Sequence, residues 1–146
     1  MLDLVIKNAK VIDGSGTDTG AKSGDGVQDV GIAGDKIVEI NANIDTQARE
    51  TLDASGLVLA PGFIDVHSHD DFHVLIEPEV RHNILQGITT AIVGNCGFGA
   101  GVSGAGKVQA NAINEASADL PSWEGYAGYL EQVADTAPAL NVAALV

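Results

Sequence analysis

Three short apolar runs in the second half of the chain limit what it can fold into. Phe63-Ile64-Asp65-Val66-His67, Ile88 to Val93 and Val142 to Val146 have strand length and β-branched residues, and none is long enough for a buried helix. The stretches between them carry helical signals. Glu79 to Gln86 reads as a helix stopped by Gly87, placed where a left-handed residue closes the last turn. Ser122 is positioned to cap a second helix, whose Trp123, Ala127, Leu130 and Ala134 recur at helical spacing. Strand, helix, strand, long loop, helix, strand predicts parallel strands joined by right-handed crossovers, an α/β arrangement.

Pro61-Gly62 separates this series from a different pattern. Residues 1–60 read as short strands and turns: Leu2, Leu4 and Ile6 alternate, a turn is expected at Asn8-Ala9, and Val11-Ile12 follows. Val30 and Ile32 lead into the tight-turn pair Gly34-Asp35, then Ile37-Val38 and Ile40 resume; Leu57-Val58-Leu59 adds another strand. Residues 13–26, rich in Gly, Ser, Thr and Asp, read as a surface loop. The organisation expected is a small β layer over 1–60 and a βα series over 61–146. A complete (β/α)8 barrel takes roughly 250 residues, and about 85 follow Pro61, so a barrel begun here is incomplete in this chain.

Composition narrows the functional classes. The formal net charge is −13, and such a chain is repelled by phosphate backbones and anionic lipid, which argues against nucleic-acid and membrane partners. Hydrophobic residues make up 45% and aromatics only 4%, a balance that suits buried parallel strands rather than an aromatic binding surface. No apolar run approaches the roughly 20 residues of a membrane helix. The opening Met-Leu-Asp-Leu-Val-Ile-Lys lacks the basic segment and cleavage site of a signal peptide, so a cytoplasmic location is expected.

The chemistry concentrates around His67-Ser68-His69-Asp70-Asp71-Phe72-His73. Side chains two apart on a strand point the same way, so His67 and His69 can direct two imidazoles at one point. They would do so at a strand's C-terminal end, where βα barrels assemble their active sites. Two imidazoles suit a catalytic Zn²⁺ that keeps a further position for water. A bare His-x-His is also common on surfaces; the apolar strand before it and the acidic residues after it favour a metal site here. His73 and His82 lack that context, and His82 is expected to be merely exposed on a polar helix. Cys96, in Val93-Gly94-Asn95-Cys96-Gly97, closes the next strand. Its spacing is compatible with a thiolate ligand and equally with a buried structural cysteine.

Two glycine patterns compete for attention. Gly99, Gly101 and Gly104 satisfy G-x-G-x-x-G, and Gly101 to Lys107 nearly forms a phosphate loop, but Val108 stands where its Ser or Thr belongs. Glycine is frequent enough between 94 and 106 to produce such matches, and no helix clearly follows, so nucleotide binding is not expected.

The segment Leu59-Ala60-Pro61-Gly62-Phe63-Ile64-Asp65-Val66-His67-Ser68-His69 resembles the opening strand of the amidohydrolase superfamily, and the strands before it resemble part of its accessory β-sandwich. His-Ser-His-Asp-Asp followed by Val-Gly-Asn-Cys-Gly is similar, more narrowly, to the N-acyl-D-amino-acid deacylases, or D-aminoacylases. The resemblance implies the start of a (β/α)8 TIM-type barrel and Zn²⁺ held by His67, His69 and Cys96, the cysteine in a bridging role. It also implies a small N-acyl amino acid substrate, hydrolysed to a D-amino acid and a carboxylate. Two further histidine ligands and a catalytic Asp belong, in that family, to later strands; without them the chain is expected to be inactive, and no catalytic residue is assigned within it. A cyclic-amide hydrolase of the dihydroorotase or hydantoinase type is the alternative enzyme, disfavoured because it uses a bridging Lys where Cys96 stands. A non-catalytic metal-binding module is the alternative outside enzymes.

Overall fold

In the computed structural model, which describes residues 1–14, 26–101 and 120–146, the chain divides into units Met1–Pro61 and Gly62–Val146. Most of the expected 13–26 loop lies outside the described residues, as do Gly104 and Lys107 of the glycine patterns.

The first unit is built on β1 (Leu2–Val11). This strand pairs antiparallel with β2 (Val27–Ala33), and parallel with both β4 (Ala48–Asp53) and the short β5 (Val58–Leu59). β3 (Lys36–Asn41) completes the sheet beyond β2, across the two-residue turn at Gly34-Asp35. Val5 packs with Leu2 and Ile44, whereas its neighbour Ile6 packs with Ala9, Val30 and Ala54, so β1 buries apolar groups on both faces. Among the described residues this unit contains a single sheet. One face carries an apolar cleft of about 210 Å³ lined by Ile6, Val30, Ile32, Ile37 and Ile40 among others.

The turn expected at Asn8-Ala9 is a β-bulge inside one continuous strand. Asn8 has φ 62°, and the register with β2 shifts between Ile6 and Ala9. Asparagine tolerates the left-handed region better than most residues. Here tertiary partners also fix it: its N–H donates to Asp29 Oδ1 (2.9 Å) and its side chain to Asp53 Oδ1 (3.0 Å). Asp29, buried, also receives the Lys7 ammonium at 2.6 Å and the Ile44 amide at 2.9 Å. Burial pushes its carboxyl up, but these donors together outweigh that and hold it below the ordinary carboxylate range.

The second unit is a parallel sheet in the order β6 (Phe63–Asp65), β7 (Ile88–Val93), β8 (Asn141–Ala144). Helices α1 (His73–Ile76) and α2 (Arg81–Ile84) lie between β6 and β7, and α3 (Gly125–Thr136) precedes β8. Val74, Val80, Ala91, Val93 and Tyr129 are fully buried in its core.

Several element boundaries differ from expectation. The helix read over 79–86 shrinks to Arg81–Ile84, because Val80 turns left-handed (φ 35°) while its side chain is fully buried; burial of one valine overrides local propensity. Gly87 does end the segment with φ 80°. Helix α3 starts at Gly125, with Glu124 at the cap position, rather than from Ser122. Trp123 is held outside it, donating Nε1–H to the Ala100 carbonyl (2.6 Å) between the rings of Phe72 and Tyr129. The expected buried strand Phe63–His67 ends at Asp65, and Phe63, Ile64 and Val66 are all at least 60% exposed. β6 is an edge strand of this sheet.

Candidate metal centre

The site is assembled where β6 and β7 end. After Asp65 the chain bends, and the Asp65 carboxylate accepts the His67 N–H at 3.1 Å. Ser68 N–H donates to the Ile92 carbonyl at 3.0 Å, tying the bend to β7. Ser68 is buried, and the histidines on either side of it are held on the outside of the bend. Their rings stand edge to face, with centroids 5.5 Å apart. The two histidines are therefore brought together by a pinned bend beyond the strand, not by the strand's own alternation.

Beyond β7 the chain makes a 3-10 turn, Asn95–Gly97. Gly94 (φ 84°), Cys96 (φ 58°) and Gly97 (φ 75°) all occupy the left-handed region. A Cβ on Gly94 would meet the Leu145 carbonyl oxygen at 2.8 Å, so the approach of β8 also requires glycine there. The turn delivers Cys96 Sγ to 3.2 Å from His67 Nε2. One donor atom each from His67, His69 and Cys96 lie within 4.8 Å of one another, and all three residues are exposed.

Donors about 2.0–2.3 Å from one tetrahedral ion stand about 3.5 Å apart, so small side-chain adjustments suffice for this trio to share one. Two imidazoles and a thiol are the ligand chemistry of a borderline-soft divalent ion such as zinc, not of magnesium or calcium.

The remaining candidates lie apart from the trio. His73 and His82 meet edge to face (4.6 Å between centroids); His73 Nε2 is 3.4 Å from Glu77 Oε2, and His82 Nε2 is 3.4 Å from Asp70 Oδ1. His82 is exposed, as expected, but it joins a network that sequence reading did not anticipate. Asp70 accepts Ser68 Oγ–H (2.7 Å) and Asn83 Nδ2–H (3.0 Å). Burial raises its carboxyl, and these bonds with His82 outweigh burial and hold it low. Asp71, buried, takes the Ala100 N–H at 3.4 Å, and burial pushes its carboxyl up. The Asp71 backbone carbonyl accepts the Tyr129 hydroxyl (2.9 Å), and burial pushes that phenol well above its ordinary value. The adjacent acids were visible in the sequence; apart from Ser68, their partners lie 12 to 58 residues away and were not.

Comparison with known proteins follows the same lines. The chain belongs to the amidohydrolase family, whose profile matches residues 50–144. It is similar to a D-aminoacylase of Alcaligenes xylosoxydans xylosoxydans, 38% identical over 99% of this chain and 28% of that protein. A solved D-aminoacylase, studied for the role of its binuclear metal centre, matches the whole chain and 30% of its own length with TM-score 0.81 and 31% identity. N-acyl-D-glutamate deacylase from Bordetella bronchiseptica, solved with zinc and a phosphonate mimic of the tetrahedral intermediate, matches 99% of this chain and 29% of its own with TM-score 0.78 and 34% identity. The chain thus spans less than a third of the length of these relatives.

Proposed function

We propose that these residues form the metal-binding opening of a zinc-dependent N-acyl-D-amino-acid deacylase, on the first βα units of a (β/α)8 barrel. The observation that carries this is the convergence of His67, His69 and Cys96 at the C-terminal ends of neighbouring parallel strands. That is the end at which barrel enzymes build their sites. Support comes from the deacylases it is similar to, one of them solved with zinc.

In this reading His67 and His69 contribute neutral imidazoles, and Cys96 contributes a thiolate whose full charge favours a divalent ion. A zinc ion bound there supplies Lewis acidity, both to the acyl carbonyl of the substrate and to the attacking water. The chain's own part is to hold these three side chains at the mouth of the sheet and to keep the turn around Cys96 from relaxing. A reducing compartment such as the cytoplasm keeps the thiol available. No helix among the described residues is long and apolar enough to cross a membrane. The product pair is a D-amino acid and a carboxylate.

The test is made on the full-length protein: zinc content per chain, and hydrolysis of N-acetyl-D-methionine beside its L-isomer. Zinc near stoichiometry, D-selective turnover and loss of activity on chelation are expected. Turnover of dihydroorotate or a hydantoin instead would move the assignment to the cyclic-amide hydrolases. Zinc bound without turnover of any of these substrates would leave a non-catalytic metal-binding module, and a protein without metal would overturn the metal reading.

A further inference from the structure

We infer that Asn95 is a positioning residue for this site, its side-chain amide fastening the Cys96 turn to the histidine bend; the inference rests on the metal reading above. Asn95 is buried, and its Nδ2 donates to the Ser68 carbonyl at 3.2 Å and to the Ile92 carbonyl at 2.8 Å. Ser68 lies between His67 and His69, and Ile92 O is also the acceptor of the Ser68 N–H. The three groups close a ring across the seam between the two ligand-bearing segments. Both amide hydrogens are used, one toward the histidines and one toward the strand that leads to Cys96.

This matters because little regular structure holds Cys96 where it is. A non-glycine residue at φ 58° is strained and persists only where its surroundings over-determine it. The Phe98 N–H to Asn95 carbonyl bond (2.9 Å) closes the turn on itself, but that contact would survive if the turn swung away from the histidines. The Asn95 side chain ties the turn to the bend directly between the ligand-bearing residues, beside the longer Ala100 N–H to Asp71 bond at 3.4 Å on the far side of the turn. An aspartate of the same shape cannot replace it: it would set a carboxylate against two carbonyl oxygens, close to a thiolate. Alanine would leave the buried Ser68 carbonyl without this donor.

The experiment is a Co²⁺ titration of the full-length apo-protein, read by the near-ultraviolet thiolate-to-cobalt charge-transfer band, with Tm measured alongside. Wild type is expected to show the band, and Cys96→Ala to lose it; a wild type without it would overturn the metal reading and this inference together. With the band established, Asn95→Ala is expected to weaken or shift it and to raise the Co²⁺ Kd about 10- to 100-fold, as loss of an outer-shell partner does. Asn95→Asp should do worse than Asn95→Ala. Asn141→Ala, which removes an exposed amide donor to Thr89 O in the same sheet, should leave band and Kd unchanged. Asn95→Ser is the least disruptive substitution and gives the deciding titration if the others do not fold. A folded Asn95 variant with wild-type band and Kd, even one with a lowered Tm, would overturn the positioning role while leaving the metal site intact.

Discussion

Cys96 and His82 make a controlled comparison of what one side chain contributes. Cys96 sits in a left-handed turn with its sulfur 3.2 Å from His67 Nε2, whereas His82 is exposed and meets only the Asp70 network and the His73 ring. In the full-length protein Cys96→Ala is expected to lose metal and most of kcat/KM. His82→Ala should change stability by no more than about 0.5–1 kcal/mol and leave zinc near the wild-type level. Metal content per chain and kcat/KM for the two variants check this; full zinc in Cys96→Ala would leave the cysteine an exposed side chain with no part in metal binding. Gly94→Ala tests the support beneath it. The added Cβ is strained at φ 84° and runs into backbone of the β8 end, so a loss of about 1–3 kcal/mol in denaturant unfolding is expected. Residue types were readable in the sequence: two histidines two apart after an apolar run, and a lone cysteine after the next. Asn95 was not, because the value of its amide depends on where two carbonyls lie, and nothing local reports that.

At the scale of elements, the β-bulge in β1 shows why boundaries were the least legible part. Asn8 reads as a turn residue, and its left-handed φ agrees, but the partner that absorbs the kink is Asp29, 21 residues away. Helix α1 was missed because four residues hold too little periodicity to register, and α2 was over-extended because Val80 answers to the core. The β-branched run Ile88 to Val93 was legible as a strand to the residue. Asp29 also gives the first unit a pH dependence whose sign follows from its carboxyl being held below the unfolded value. Its contribution is present above the unfolded pKa of about 4 and is lost as pH falls through the lower folded value. Asp29→Asn is therefore expected to destabilise at pH 7 by about 1–3 kcal/mol and to flatten part of the acid-side loss. Urea midpoints at pH 7 and pH 3 for the two proteins decide it: equal differences at both pH values would contradict the assignment.

For the whole molecule, the relevant observation is how much of a site these residues hold. The described part brings three candidate ligand groups together, but the carboxylates that follow them in sequence are already committed, Asp70 to Ser68 and Asn83, Asp71 to a buried position under Ala100. Neither of these two carboxylates is poised to carry a proton between water and a leaving amine. On the proposed function, residues 1–146 expressed alone are expected not to hydrolyse N-acetyl-D-methionine, and the full-length protein is expected to do so. Chelator-sensitive turnover by 1–146 would refute this. The same polypeptide leaves Phe63, Ile64 and Val66 exposed and should bind an apolar dye more strongly than the full-length protein.

The parallel sheet in which each strand lies beside its sequence neighbour bears on the order of events at the ribosome. His67 and Cys96 are 29 residues apart, and the bonds that join their segments, Ser68 to Ile92 and Asn95 to Ser68, span no more. At synthesis rates of about 5–20 residues per second, the second ligand segment follows the first out of the exit tunnel within about 1–6 seconds. His67, His69 and Cys96 can thus come together as soon as β7 and the turn after it have emerged, before β8 has been made.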